Sequence, residues 1–598
     1  MSDLSSNKDL DKTLFDPVWL ECNTEKAKAV IDKLRIEDQA RYLSQLPGKI
    51  KLDFLNLSSK SKQVVQALAP EEVYYMVKEI GVSDCLPVLS ALTGEQMQYF
   101  FDLELWTKDR FVPQRAVEWI VIMGQCNAKK LLDWFLQEDI DQVVTLLKGL
   151  VLVYKKDEMT DSYAGIEGLK HYSPDGVYDI FFLDSKAFEP LLPIFKLLRG
   201  QYPETFFNVM EGAIWHSRDS VEESAYRWRI SRTSSRGIPD FEEAFEIYSR
   251  LDPDAIKELP VSETDFFEDD YINPPTYIIE NMNPGNFFSK CWALLKSEER
   301  QKAIRWELVY LANKLMVADG LDSGKFENHR RVISKSLAFV NIGLELAAQG
   351  DVQKGATILS QSWAQPIFQV GYGHLLNLKK KGTELVKDGG IFLDRLISDV
   401  DRDILSSLTV FPIPMIKSRV VGKESLLKDF ESLDEVEQTL NFLKKLTFFR
   451  RLAKQCLGVS DSVFESIFKA RGDEEKSEEI SFQALTATAL ARFILFEEIS
   501  CEPLSSSAAQ SFLKLILIPR VPSVPGEPVQ VCDDEKLMNF YAVLLDGPLA
   551  WSEEDREFLG DLLAQVMQDL EIQFSMINLK KPIHWEHVDI LIVNLVSK

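Results

Sequence analysis

Cysteine and histidine are scarce in this sequence. The chain of 598 residues has seven cysteines and six histidines. Disulfide frameworks and zinc sites need such residues at short, regular spacings, whereas the cysteines here are widely separated. They are Cys22, Cys85, Cys126, Cys291, Cys456, Cys501 and Cys532. The pattern predicts unpaired thiols in a reducing compartment.

Long hydrophobic runs are also missing. The most apolar stretches, such as residues 116–123 and 512–518, are far shorter than the roughly 20 residues that cross a bilayer as a helix. Residues 1–11 lack the apolar core of a secretory signal peptide. We therefore expect a cytoplasmic protein that does not span a membrane. The sequence leaves open whether the protein has a peripheral membrane partner.

Positive charge is in deficit. The chain has 68 lysines and arginines against 93 aspartates and glutamates, a formal net charge of −25. Such a surface repels the phosphates of nucleic acids unless a local basic stripe overrides it. We therefore expect no nucleic-acid partner.

Hydrophobic residues are nevertheless abundant enough for folding. They make up 45% of the chain, a proportion typical of globular domains. Apolar residues recur three and four positions apart, as in Val73, Met76, Val77 and Ile80 after the helix start at Pro70. This spacing is that of amphipathic helices. The sequence predicts a mainly α fold, built of helical superhelices or bundles in several domains.

A short helical phrase recurs in the first quarter of the chain. Residues 67–72, ALAPEE, resemble residues 91–96, ALTGEQ, and residues 34–39 and 136–139 are looser copies. Such recurrence is typical of helical repeats. This quarter also resembles the superhelical cytosolic N domain of MgtE-type magnesium transporters. That resemblance implies a magnesium-responsive regulatory module acting on a separate membrane partner.

Two β-rich runs interrupt the helical pattern. Residues 150–154 and 177–182 are rich in β-branched and aromatic residues, which favour strands. They predict a small β-hairpin inserted among helices.

Changes of composition divide the chain further. The predicted segments are a weakly ordered or disordered N-terminus (1–23), a superhelical repeat domain (24–148), a β-hairpin with helices and an arginine-rich stretch (149–252), an acidic linker (253–285), helical domains (286–410 and 411–518), a proline-rich linker (519–531) and a C-terminal helical segment (532–598).

Residues 226–248 and 317–381 resemble an uncharacterised bacterial family described only as a domain of unknown function. This resemblance supplies no activity.

Two glycine-bearing segments do not match the phosphate-binding motifs that they resemble. Residues 320–326 have the wrong spacing for a P-loop, and Phe326 stands where a metal-binding hydroxyl is required. Residues 371–376 lack the third glycine of a dinucleotide fingerprint. No recognisable nucleophile elbow is present either, so the sequence identifies no catalytic residues.

A local concentration of arginine stands out against the acidic background. It consists of Arg227, Trp228, Arg229, Arg232 and Arg236. Guanidinium groups offer forked donors to carboxylates and phosphates, and a tryptophan can stack on a ring. The stretch is therefore our candidate site for an anionic ligand or an acidic partner. The alternative is internal ion pairing with nearby glutamates.

His584 and His587 form the only close histidine pair. If Pro582 occupies the first turn of a helix, the two imidazoles come one turn apart, which suits a divalent metal. A third ligand would be required, and ordinary surface histidines are the alternative. No other cofactor is predicted.

Three functions remain open. The leading hypothesis is a protein-interaction or scaffolding protein whose stacked helices bind another protein. The second is an enzyme or sensor that binds a small anionic ligand or a metal. The third is the magnesium-responsive module implied by the resemblance to transporters.

Overall fold

The computed structural model describes residues 24–46, 48–156, 166, 168–258, 275, 277–387, 396–410, 414–418, 426–471, 480–519 and 530–595. The chain divides into two compact units, residues 1–373 and 374–598. Helices dominate both units, which confirms the mainly α prediction. The finer division into helical domains stays a prediction, and the predicted disorder of residues 1–23 lies outside the described residues.

The first unit begins with short helices. They are α1 (Thr24–Ile31), α2 (Ile36–Gln45), α3 (Ile50–Leu57), α4 (Ser61–Gln66), α5 (Pro70–Ile80), α6 (Leu86–Ala91), α7 (Gly94–Glu104), α8 (Pro113–Gln137) and α9 (Ile140–Leu150). Pro70 and Pro113 stand in the first turn of their helices, where the missing N–H has no helical partner to lose. Thr93 and Gln96 form a capping box at the start of α7, which satisfies two free backbone donors.

The predicted β-hairpin is part of a three-stranded sheet. Strand β3 (Val151–Lys155) pairs antiparallel with β5 (Tyr178–Phe182), and β4 (His171–Tyr172) pairs with the other edge of β5. Every residue of the central strand β5 is buried. A separate two-residue ladder joins β1 (Trp106–Thr107) to β2 (Arg110–Phe111) just before α8.

Further helices complete the first unit. They are α10 (Phe188–Gln201), α11 (Pro203–Trp215), α12 (Arg218–Ser234), α13 (Phe241–Phe245), α14 (Tyr277–Glu280), α15 (Phe287–Trp292), α16 (Glu298–Ala318), α17 (Phe326–Ala348), α18 (Val352–Gln361) and α19 (Ala364–Lys387), with the unit boundary inside α19. Where α17 and α19 cross, a Cβ on Gly371 would lie 2.2 Å from the carbonyl oxygen of Phe339. Gly371 therefore allows α17 and α19 to pack closely, and residues 371–376 lie within a helix instead of a loop.

The glycine-bearing turn at residues 320–325 anchors α16 and α17 to the N-terminal helices. Asp322 accepts hydrogen bonds from both terminal nitrogens of Arg115, at 3.0 and 2.5 Å. The hydroxyl of Tyr74 donates to the carbonyl of Ser323 at 2.9 Å, and the hydroxyl of Ser323 donates to the carbonyl of Leu103 at 2.8 Å. The polar groups of this turn therefore form hydrogen bonds within the protein.

The second unit contains α20 (Asp399–Leu408), α21 (Leu433–Gln455), α22 (Asp461–Arg471), α23 (Phe482–Phe496), α24 (Ser506–Ile516), α25 (Asp534–Leu545) and α26 (Glu553–Phe574), with β6 (Ile416–Ser418) pairing with β7 (Leu426–Lys428). Two short strands border the predicted proline-rich linker (519–531). Strand β8 (Leu517–Pro519) pairs with β9 (Gln530–Cys532), so the chain returns to its starting point. The prolines between these strands lie outside the described residues.

In the described part of the chain, the state of the cysteines and the hydropathy of the helices agree with the sequence predictions. Six cysteines there are free thiols, and four of them, Cys85, Cys291, Cys501 and Cys532, are buried. Within the same residues, no helix is both long and apolar enough to cross a membrane.

Replacing Asp322 with asparagine should loosen the turn at residues 320–325. Burial opposes the charge, but the hydrogen bonds from Arg115 and Gly324 outweigh it and lower the pKa of Asp322 from its ordinary value of 3.8. A lowered pKa stabilises the fold above the ordinary value, and this contribution is lost as the pH falls through the folded-state value. We expect D322N to lower stability by about 2 kcal/mol at pH 7, with a smaller difference at pH 3, which lies below the ordinary pKa of 3.8.

Hydrogen exchange of the peptide spanning residues 319–325, together with melting curves at both pH values, measures this effect. Asp53→Asn is the control, because Asp53 is exposed on α3. Equal protection of the turn in the two variants would contradict the anchoring role.

Candidate functional site

Helix α12 carries the predicted arginine stretch. It begins at the Ser217 cap, whose side chain accepts from the N–H of Ser220. Gly237, with a positive φ of 74°, turns the chain away after the helix. A Cβ on Gly237 would lie 2.6 Å from the Cα of Tyr310, so only glycine fits here.

Two residues of the stretch face solvent. Arg227 forms an ion pair with Glu223, one turn earlier on the same helix. Trp228 is 50% exposed. The remaining arginines point toward α7.

Arg229 holds the backbone at the end of α7. Its Nε donates to the carbonyl of Asp102 at 2.6 Å, and its Nη1 donates to the carbonyl of Lys108 at 3.3 Å. The guanidinium lies 5.8 Å from the ring centre of Trp106 and 5.9 Å from that of Tyr226. Burial lowers the pKa of Arg229, and these carbonyls and rings stabilise its charge.

Arg232 forms a forked pair with Asp102. The Nε···Oδ2 distance is 3.0 Å and the Nη2···Oδ1 distance is 2.6 Å. Nη2 also donates to the amide oxygen of Gln142 at 3.2 Å, and Gln98 donates to Asp102 at 2.9 Å. Burial raises the pKa of Asp102 even against the hydrogen bonds from Arg232.

Arg236 pairs with two glutamates. Its Nη1 donates to Glu71 at 2.9 Å, and its Nη2 pairs with Glu95. Burial alone would lower the pKa of Arg236, but Glu71 and Glu95 raise it instead. Arg229, Arg232 and Arg236 therefore already donate hydrogen bonds to acceptors of the same chain. Anion binding by the stretch stays a prediction.

The two helices present matching faces. Positions 229 and 232 lie three residues apart on α12, Arg236 lies in the turn just after the helix, and positions 95, 98 and 102 of α7 follow a spacing of three and four residues. Such positions share one side of a helix. Arg229 and Arg232 reach Asp102, whereas Arg236 reaches Glu95, so the two faces meet in opposite chain directions.

A polar cleft opens beside these ion pairs. Its volume is about 430 Å³, within the range of about 300 to 1,000 Å³ seen for ligand sites. Nine of its twelve lining residues are polar or charged. The lining consists of Gly94, Glu95, Gln98, Tyr99, Asp102, Trp134, Gln137, Glu138, Arg232, Thr233, Ser235 and Arg236. The structure thus brings Arg232 and Arg236 into one site and leaves Arg227 and Arg229 out of its lining.

Comparison with known proteins places the chain in a family. Residues 28–594 match the model of a family of unknown function, DUF6178. The chain belongs to the DUF6178 family. No curated protein matches it, and no solved structure does. The expected membership of an uncharacterised family is therefore confirmed, and the resemblance to magnesium transporters stays a prediction.

Sequence reasoning missed Glu138 in this DUF6178 chain. Glu138 directly follows the last residue of α8 and lines the cleft. Burial raises its pKa, and the nearby Asp102 and Asp139 raise it further against the opposing charge of Arg232. A signal was present in the sequence, because acidic residues are unfavourable at the C-terminus of a helix.

The predicted metal pair lies in the second unit. His584 directly precedes a single 3₁₀ turn, Trp585–His587, and His587 is its last residue, whereas an α-helical turn was expected. Both are exposed. In the described part of the chain, no group of three or more His, Cys, Asp or Glu residues is placed to hold a metal ion. Metal binding by this histidine pair stays a prediction.

Replacing Arg232 with alanine should destabilise the first unit. The substitution leaves Asp102, only 5% exposed in its side chain, without its main partner, and a carboxylate left unpaired in the interior is strongly unfavourable. We expect the free energy of unfolding to fall by about 3 kcal/mol. Urea unfolding followed by tryptophan fluorescence measures it.

Arg227→Ala is the matched control on the same helix. Its exposed pair with Glu223 should contribute at most about 0.5 kcal/mol. Similar losses in the two variants would mean that the forked pair does not hold α12 in place.

Proposed function

We propose that this protein acts by binding another protein, in an interaction or scaffolding role. The binding surface comprises the polar cleft and Trp228, and is called the cleft surface below. The observation that carries the proposal is a half-exposed tryptophan one helical turn from the cleft residue Arg232.

Trp228 has the character of an interface anchor. Positions 228 and 232 lie one turn apart on α12 and so share a side of the helix. Tryptophan is enriched among the residues that dominate protein–protein binding, since it buries a large apolar area and adds one hydrogen-bond donor. An exposed tryptophan beside a polar cleft resembles the anchor and polar rim of an interface.

The composition of the cleft also favours a protein partner. Pockets for cofactors and other small molecules are lined mainly by apolar and aromatic side chains. Here nine of the twelve lining residues are polar or charged, which suits the side chains of a partner protein.

An acidic ligand fits this cleft poorly. Arg232 and Arg236 already pair with Asp102, Glu71 and Glu95. An incoming anion would have to displace these carboxylates and would also meet Glu138. The proposed partner therefore differs from the acidic one expected from the arginine stretch alone.

Replacing Trp228 with alanine should abolish partner binding without unfolding the protein. We expect tagged full-length protein, expressed at native abundance and purified by affinity, to carry a stoichiometric protein partner that W228A loses at least tenfold. The reason is that truncation of a central interface tryptophan removes a large share of the binding energy. Quantitative mass spectrometry measures the loss.

Trp215→Ala is the control, because Trp215 is 72% exposed at the end of α11 in the same unit but lies outside the cleft lining. W215A should retain the partner, and melting curves should confirm that both variants fold. Absence of any stoichiometric partner in repeated purifications of the wild type would overturn the proposal.

A further inference from the structure

The positive charges of the cleft are neutralised within the chain. Arg232 is forked onto Asp102, whose carboxylate it faces at 2.6 and 3.0 Å. Arg236 faces both Glu71 and Glu95. Of the charged residues in the lining, this leaves Glu138 to be accounted for.

In the described part of the chain, the carboxylate of Glu138 has no hydrogen-bond or ion-pair partner, although the charge of Arg232 lowers its pKa against the effect of burial. Its backbone N–H donates to the carbonyl of Trp134 at 3.0 Å, but its carboxylate forms no hydrogen bond and no ion pair there. The side chain is half-buried, so water solvates it only in part. A carboxylate that is partly desolvated and unpaired gains more from an opposite charge than a fully exposed one does.

The surroundings of Glu138 add to this unfavourable position. It stands at the C-terminus of α8, where the unpaired carbonyls of the last turn carry partial negative charge. Asp139 follows it directly and Asp102 lines the same cleft; both raise the pKa of Glu138, whereas Arg232 lowers it. The lining as a whole holds three carboxylates and two guanidinium groups. A cation entering the cleft would balance the remaining negative charge.

We propose that the cleft surface binds a lysine or arginine side chain of the partner protein and that Glu138 is its principal acceptor. The inference rests on the proposed protein-binding role and names the chemistry of the partner. It reverses the sign of charge that the arginine stretch suggests.

Other features of the cleft suit a long basic side chain. Gln137, exposed beside Glu138, offers an amide oxygen to a second N–H of the same cation. Tyr99 and Trp134 contribute aromatic surface to the lining, against which the methylene stem of a lysine or arginine packs. A volume of about 430 Å³ accommodates such a side chain together with ordered water.

The charge of the whole chain acts in the same direction. A formal net charge of −25 attracts basic partners at long range and accelerates their association at low ionic strength. This general attraction does not select a site. The test must therefore separate Glu138 from the other acidic residues.

Replacing Glu138 with glutamine should weaken partner binding at least tenfold while leaving the fold intact. Glutamine keeps the size of the side chain but removes the charge that the basic group requires. Because the pKa of Glu138 is raised by burial, its ionised form is disfavoured in the folded state, and E138Q should melt at the same temperature as the wild type or higher. Titration of the captured partner measures affinity.

Glu118→Gln is the matched control, because Glu118 is an exposed residue of the same helix α8 outside the cleft lining. E118Q removes the same charge from the protein and should bind normally. Equal weakening in E118Q and E138Q would reduce the effect to net charge and overturn the inference.

A direct probe works without an identified partner. Saturation-transfer NMR on the full chain, with N-acetyl-arginine amide as the probe, should give a signal in the wild type and in E118Q that E138Q loses. N-acetyl-citrulline amide, the neutral isostere, should give none. Equal signals from arginine and citrulline, or stronger binding of spermidine or Mg²⁺ at the same site, would overturn the assignment to a basic side chain.

The two proposals fail in different ways. If W228A loses a partner that E138Q retains, protein binding stands and the basic occupant of the cleft is wrong. If no partner is found but the arginine probe binds through Glu138, the cleft is a site for small cations and the protein-binding role is wrong.

Discussion

The forked ion pair between Arg232 and Asp102 is the interaction on which the N-terminal part of the first unit depends. A buried aspartate is stable in its charged form only when donors surround it. Arg232 supplies two such donors, and Gln98 supplies another. Because a forked pair tolerates little displacement, it fixes the position of α12 along α7. Arg229 contacts the end of α7 from the preceding turn of α12, and Arg236 reaches Glu71 and Glu95 from the turn that follows the helix.

The same pairs bear on the charge of the cleft. An arginine-rich stretch in an acidic protein predicts an anion site, and three of its arginines form hydrogen bonds within the fold. Arginines 232 and 236 each meet carboxylates of the N-terminal helices, so the electrostatic character of the cleft is set by what remains unpaired. Among the described lining residues, that residue is Glu138, whose pKa is raised by burial and by Asp102 and Asp139 and lowered by Arg232. Such unfavourable placement is common at functional sites, where stability is exchanged for binding.

Two glycine-bearing segments, residues 320–325 and 371–376, also form their contacts within the protein. Residues 320–325 look superficially like a phosphate loop, but Asp322 and Ser323 direct their polar groups at Arg115, Tyr74 and Leu103. Gly371 allows the backbone of α19 to approach that of α17. In each case a pattern associated with ligands is used to pack the chain against itself. Spacing rules rightly rejected both motifs, because each lacked a required residue.

The sequence by itself determined the mainly helical fold and strands at residues 150–154 and 177–182, which lie at 151–155 and 178–182 in the structure, because helical and strand periodicities are local properties. It also singled out the arginine stretch, since composition is visible without coordinates. Only the tertiary structure decided which charges neutralise one another, because Arg232 and Asp102 are 130 positions apart and meet only when α12 packs on α7. Glu138 was likewise identified as a candidate site residue only from the tertiary structure, because its neighbours in the cleft come from distant parts of the chain. The lack of a hydrogen-bond partner for the Glu138 carboxylate, in the described part of the chain, is recognised only when the partners of the neighbouring charged residues are known.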